Sequence, residues 1–157
     1  MAINPNTDFV AGEVLTAAQM NRFPRGIVAE ASSTTTNSSI TSTEAITITA
    51  STFTAVANRY YRITYIEPSA APSTGVQNTI FTKIRLTNAS GTTYGQGQYQ
   101  QETNNATNCT ITIVALATFS AGSVVVVGTA VVNGGTGNLA RSASAIARII
   151  VEDVGPA

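Results

Sequence analysis

The chain has 157 residues, a length that suits one domain with its own hydrophobic core. Hydrophobic residues make up 43% of it and charged residues only 10%, with eight basic and eight acidic side chains cancelling to zero. Such a surface has no field to attract nucleic acid or an anionic membrane, and little charge to oppose self-association. With no histidine and a single cysteine, Cys109, the chain has no disulfide framework, no cysteine–histidine zinc site and no His-dependent catalysis.

In chain order, residues 1–25 read as a short arm and residues 26–157 as the body. Within the arm, Thr16 and Gln19 match a capping box, in which each side chain satisfies the other residue's free backbone N–H. Leu15 and Met20 have the spacing of a hydrophobic staple, and Pro24 stops the helix. This predicts about two turns, from Ala17 to Phe23. A helix that short is unstable alone in water, so the arm must dock on its own body, a sister subunit or a larger assembly. Phe9, Val10, Val14, Leu15, Met20 and Phe23 supply apolar anchors, and Arg22 and Arg25 bracket Phe23-Pro24 as a candidate docking cluster. The opening residues have neither a basic n-region nor an apolar h-region, so no secretory signal is expected. No apolar run approaches the roughly 20 residues of a membrane helix.

The body reads as strands. Gly26 to Ala31 is a first strand, and Ser32 to Ser39 a Ser/Thr/Asn run. Ala45-Ile-Thr-Ile-Thr-Ala alternates with period two, the mark of a half-buried strand, and Phe53, Ala55 and Ala57 continue it. Tyr60 to Ile66 puts Tyr61, Ile63 and Tyr65 on one face, and Glu67-Pro68 is expected to end that strand, with a loop from Ser69 to Gly75. Thr79 to Thr87 alternates again, Asn88-Ala-Ser-Gly91 is turn chemistry, and Thr92 to Gln100 looks like a polar edge strand. Cys109 opens the alternating run that ends at Phe119, where a half-buried, inert thiol is expected. Ser120 to Ser123 reverses the chain, Val124 to Val132 returns, Asn133 to Gly137 is a glycine-rich turn, and Ala145 to Val154 closes the body. About eight short strands without helical periodicity predict an all-β fold: a single antiparallel β-sandwich or jelly roll with a short N-terminal helical arm.

The carboxylates do not form a catalytic pair. Glu152 and Asp153 are adjacent and point to opposite faces of a strand, while Glu67 and Glu102 flank loops. No Asp-x-Asp-x-Asp spacing suggests a calcium loop. Gly134, Gly135 and Gly137 lack the Lys-Ser/Thr of a phosphate loop and sit between strands. No enzymatic activity, cofactor or metal is therefore expected. Tyr60, Tyr61, Tyr65, Tyr94 and Tyr99 fit either core cross-strand pairs or a sugar-stacking surface. Arg59, Arg62 and Arg85 read as solvated strand faces or contacts for an acidic partner.

The arm segment Ala11-Gly-Glu-Val-Leu-Thr-Ala-Ala-Gln-Met-Asn21, with Phe-Pro-Arg-Gly-Ile27, resembles an opening seen in small virion structural proteins of tailed bacteriophages. The closing Ala147-Arg-Ile-Ile-Val-Glu-Asp-Val-Gly-Pro156 resembles the last strand of such proteins. Arg59-Tyr-Tyr-Arg-Ile-Thr-Tyr and Phe119-Ser-Ala-Gly-Ser-Val-Val-Val are similar to strands of their C1q- or TNF-like jelly-roll heads. The resemblance implies a capsid decoration protein or head fibre, or a minor tail protein. It further implies a homotrimer on the virion whose N-terminal arm docks on the major capsid protein or another virion protein. No collagen-like or coiled-coil stalk precedes the body, which favours a compact decoration. A receptor- or carbohydrate-binding module is the alternative expectation.

Overall fold

The period-two alternation becomes two packed antiparallel sheets in the computed structural model, which describes residues 12, 14–72, 78–101 and 107–157. One helical turn, α1 (Ala17–Met20), precedes β1 (Gly26–Ser33), β2 (Asn37–Ile40), β3 (Ala45–Thr49), β4 (Phe53–Ala55), β5 (Arg59–Pro72) and β6 (Asn78–Leu86). Then follow β7 (Thr93–Gln101), β8 (Cys109–Thr118), β9 (Gly122–Val124), β10 (Val126–Val132), β11 (Gly137–Leu139) and β12 (Ala147–Pro156).

In the first sheet β5 is the spine, flanked by β8 on one edge and β12 on the other, with β1 outside β12. Past the start of β12, β11 takes its place beside Ala70–Pro72, and β2 pairs with β11. The second sheet has the order β3-β10-β6-β7. A small ribbon, β4 with β9, hydrogen-bonds to neither sheet but packs Phe53 and Ala55 into the core. The four main strands of each sheet supply the expected eight.

Alternation sets which side chains face inward. On β8, Ile111, Ile113, Ala115 and Ala117 are buried while the residues between them are exposed. Tyr65 sits between Ile113 and Ile149, and Ile63 between Ala115 and Val151. Ile80, Ile84, Val126 and Ala130 complete the core from the second sheet. Each large aliphatic side chain so buried contributes about 1.5–3 kcal/mol. Phe53, Tyr61, Phe119 and Tyr94 form an aromatic cluster, with ring centroids 5.3 to 5.8 Å apart.

Three expectations need correction. Glu67-Pro68 does not end the third expected strand: β5 runs on to Pro72, because its register against β8 shifts between Glu67 and Ala70 and so absorbs the proline. The Ser/Thr/Asn run and the glycine-rich turn each hold part of a short strand, β2 and β11, which pair with each other. Among the described residues the N-terminal helix is a single turn, Ala17–Met20, shorter than the two turns expected to Phe23. Its capping box is present, with Gln19 N–H donating to Thr16 Oγ1 at 3.2 Å and Thr16 N–H to Gln19 Oε1 at 2.8 Å. Beyond Met20 the chain tightens into turns, since Phe23 precedes Pro24 and is disfavoured in the α region.

Candidate docking surface

The arm meets the body where β5 begins and β12 ends. Arg25 N–H donates to the Asp153 carbonyl at 3.2 Å, and β1 then pairs with β12 from Gly26 onward. Beneath this junction lies a buried ion pair. Arg59, only 4% exposed, donates from Nε to Asp153 Oδ2 at 2.5 Å and from Nη2 to Oδ1 at 2.7 Å. The same guanidinium reaches the arm: Nη2 donates to the Phe23 carbonyl at 2.6 Å, and Nη1 to that of Asn21. Asp153 also accepts the Gly155 N–H at 3.0 Å. One buried arginine therefore holds two carbonyls of the arm and a carboxylate of the body, and its planar fork of donors suits that task.

Above the junction the apolar side chains of the segment stay in water. Val14 is 91% exposed, Met20 55%, and Leu15 and Phe23 are also exposed, as is Ile27 at the start of β1. Arg22 and Arg25 stand exposed beside them, with Arg25 Nε 4.0 Å from Asp153 Oδ2. Val14, Leu15, Met20, Arg22, Phe23 and Arg25 follow one another along one exposed segment by sequence; Phe9 and Val10 lie outside the described residues.

Residues expected to be solvated are partly internal. Arg59 is the buried clamp just described, because it shares the inward face of β5 with Tyr61, Ile63 and Tyr65. Arg62 is exposed and pairs with Glu152, Nε to Oε2 at 2.8 Å. Arg85 binds Glu44. Glu67, placed at a loop edge by the sequence, is buried, where it accepts from Arg141 Nη2 at 2.6 Å and Tyr65 Oη–H at 3.0 Å. Glu152 and Asp153 do face opposite sides of β12, and Glu102 lies outside the described residues. Cys109 is half-buried at the start of β8.

Tyr61 and Tyr65 are core side chains, while Tyr94 lines a cleft of about 370 Å³ with Leu86, Thr87, Phe119, Ser120 and Val124. The walls of that cleft bear no charged group, and Thr87 adopts a positive φ of 64°, an unusual conformation for a β-branched residue. Among the described residues, no three His, Cys, Asp or Glu side chains gather to hold a metal.

No protein-family model matches the chain, and no curated protein matches it. Among solved structures it is similar to a CBM4 carbohydrate-binding module at 16% identity and a TM-score of 0.30, covering 83% of this chain and 92% of that one. It is also similar to the enzymatically active domain of bacteriophage CBA120 tailspike protein 4, at 14% identity and a TM-score of 0.28, over 78% of this chain but 19% of that one. A third similarity is to a structure of infectious bursal disease virus, Gx strain, at 10% identity and a TM-score of 0.26, over 81% and 39% of the two chains. At such scores these similarities carry no argument about the role of this chain. The class that the structure itself defines is an antiparallel β-sandwich with an apolar segment clamped at one end.

Proposed function

We propose that this protein is a non-enzymatic virion structural protein, a decoration that docks on an assembled capsid through residues 1–25 and stabilises it. The observation that carries this reading is the exposed, apolar segment of Val14, Leu15, Met20 and Phe23, fastened to a body whose own core is already filled. Apolar surface of that kind is unfavourable in water, and a partner that covers it lowers the free energy. Binding the assembled shell but not its loose subunits would favour the shell by mass action. The strand orders β1-β12-β5-β8 and β3-β10-β6-β7 support the jelly-roll reading of the body, because successive long strands cross repeatedly between the two sheets. The exposed Val114 and Leu116 on the outer face of β8 offer an apolar patch for self-association, which the proposed homotrimer would use.

Immunogold electron microscopy on the source particles, with antibody to residues 26–157, tests the placement. Label over the head is expected. Label on the tail would make this a minor tail protein, and particles without label would remove the virion reading. Deleting residues 1–25 should then abolish incorporation. A second reading, a carbohydrate- or receptor-binding role, is favoured by the uncharged cleft beside Tyr94 and Phe119, which suits a neutral, amphipathic ring. A glycan array probed with the protein and with Tyr94→Ser checks it, and hits that Tyr94→Ser retains would place any glycan site elsewhere.

A further inference from the structure

Packing of the core does not account for two features of the cleft beside Tyr94. The first is its hydroxyls. Thr87, Thr118, Ser120 and Ser123 stand exposed around the rim, and neither their hydroxyls nor that of Tyr94 hydrogen-bond to another group among the described residues. Burial pushes the Tyr94 phenol above its ordinary range, so it stays a protonated donor. The second is a strained corner. Thr87 holds its φ of 64° because its own amide donates to the Val125 carbonyl at 2.9 Å and the Leu86 amide to that of Thr92 at 3.0 Å. Glycine or asparagine suits such a corner better; a threonine there puts a hydroxyl and a methyl on the rim at a cost in stability.

The floor is aromatic. Tyr94 and Phe119 meet edge to face, with centroids 5.5 Å apart and planes at 81°, and Leu86 and Val124 lie beside them. Charge is absent well beyond the walls. From Leu86 to Ala140 the only charged residue is Glu102, and Arg85 turns to the opposite face of β6, where Glu44 and the Gly91 carbonyl hold it. The volume of about 370 Å³ is in the range of small-molecule sites.

We infer that this cleft binds a neutral pyranose unit of a glycan, stacked in the corner of Tyr94 and Phe119 and held at its edge by the hydroxyls of Tyr94, Thr87 and the Thr118–Ser123 rim. The inference rests on the second reading above, a carbohydrate-binding role, and gives that role its ligand class. A sugar ring has a face of C–H groups and an edge of hydroxyls that both donate and accept, and the cleft offers a surface for each. A carboxylate, sulfate or phosphate on the same unit would leave water without meeting a cation.

An array of neutral glycans, each beside a counterpart carrying sialic acid or sulfate on its terminal unit, tests the class on the full-length protein. Neutral members should bind, and their acidic counterparts about tenfold more weakly or worse. Equal or stronger binding of the acidic members would overturn the neutral class and leave the glycan reading standing, whereas binding to none would remove both. The strongest neutral hit then becomes the probe for titration calorimetry. Tyr94→Ser should weaken it about tenfold or more. Because Tyr94 also packs on the core cluster, Ser123→Glu repeats the measurement from an exposed position. It should weaken the probe to a similar extent with an unchanged Tm, and undiminished affinity in this folded variant would overturn the assignment of the cleft. Thr87→Gly should keep or raise Tm, since glycine enters the left-handed region freely, yet weaken the probe severalfold. A Tm that is kept with full affinity would overturn the part given to Thr87.

Discussion

At the residue scale, four of the chain's charged side chains, Arg59, Glu67, Arg141 and Asp153, are buried, and Glu44 with Lys83 and Arg85 is partly so. Glu44 accepts hydrogen bonds from Lys83 Nζ at 2.8 Å, Arg85 Nη2 at 2.7 Å and Thr129 Oγ1 at 2.5 Å. Burial alone would raise its carboxyl, but the bonds from Arg85, Lys83 and Thr129 outweigh that and hold it at about 2, against an ordinary 4.5. The folded value lies below the unfolded one, so the stabilisation is complete above about pH 5 and disappears as pH falls toward 2. Because the cluster is partly open to water, screening reduces its worth to about 1–2 kcal/mol. Urea unfolding of the native chain should therefore show a loss of that size between pH 5 and 2, and Glu44→Gln should flatten the profile by about the same amount. Parallel profiles would mean that the cluster adds nothing. The partners of Glu44 come from β6 and β10, distant in sequence, and no local pattern announces them. The clamp is different. Arg59 shares its strand face with Tyr61 and Ile63, and Asp153 shares its face with Ile149 and Val151, so two opposite charges stand at inward positions of strands that pair. Strand parity makes that pair legible in the sequence; reading scattered arginines as solvated faces hid it.

At the element scale, the alternation of β8 and β12 was readable because each buries one face and leaves the other in water, whereas β3 buries Ile48 but leaves Ile46 exposed where its register against β10 shifts. The strands that escaped were β2 and β11, four and three residues long, whose pairing depends on each other and on the far end of β5. Periodicity has too few residues to register there. The extension of β5 past Pro68 was also hidden, since a bulge is set by the partner strand and not by the proline. Where the sheets meet, β10 shows how little room is left. A Cβ on Gly128 would lie 2.7 Å from Ile48 Cγ2 and 2.8 Å from Tyr65 Cζ. Tyr65 cannot swing aside, because its hydroxyl is bonded to Thr47 and Glu67, each at 3.0 Å. Gly128→Ala should thus lower stability by about 1–3 kcal/mol through overpacking, with an unchanged m-value in urea. A neutral substitution would show that the two sheets can separate at this point.

At the scale of the whole molecule, the first sheet has an outer face that its own chain leaves open. Val114 is 63% exposed and Leu116 60%, and across β5 they face Thr64 and Arg62, beyond which lie Ile150 and Glu152 of β12. An aliphatic surface with one paired arginine and glutamate at its centre, on a chain of zero net charge, can meet copies of itself without repulsion. If the trimer forms through this face, light scattering should give about three times the 16.2 kDa of the chain. Val114→Glu with Leu116→Glu should return it to one, with an unchanged far-UV spectrum because neither side chain enters the core. A full-length chain that is already monomeric, or a variant that stays trimeric, would remove this face from the assembly. Oligomeric state and docking are then linked by arithmetic. One arm, with Val14, Leu15, Met20 and Phe23 exposed among its described residues, would be a weak anchor, but three arms on a rigid trimer would bind at an effective concentration that raises avidity by about a hundredfold or more. The monomeric variant keeps its arm and its Arg59 clamp, so it should lose capsid retention by that factor while its single-arm contact stays intact.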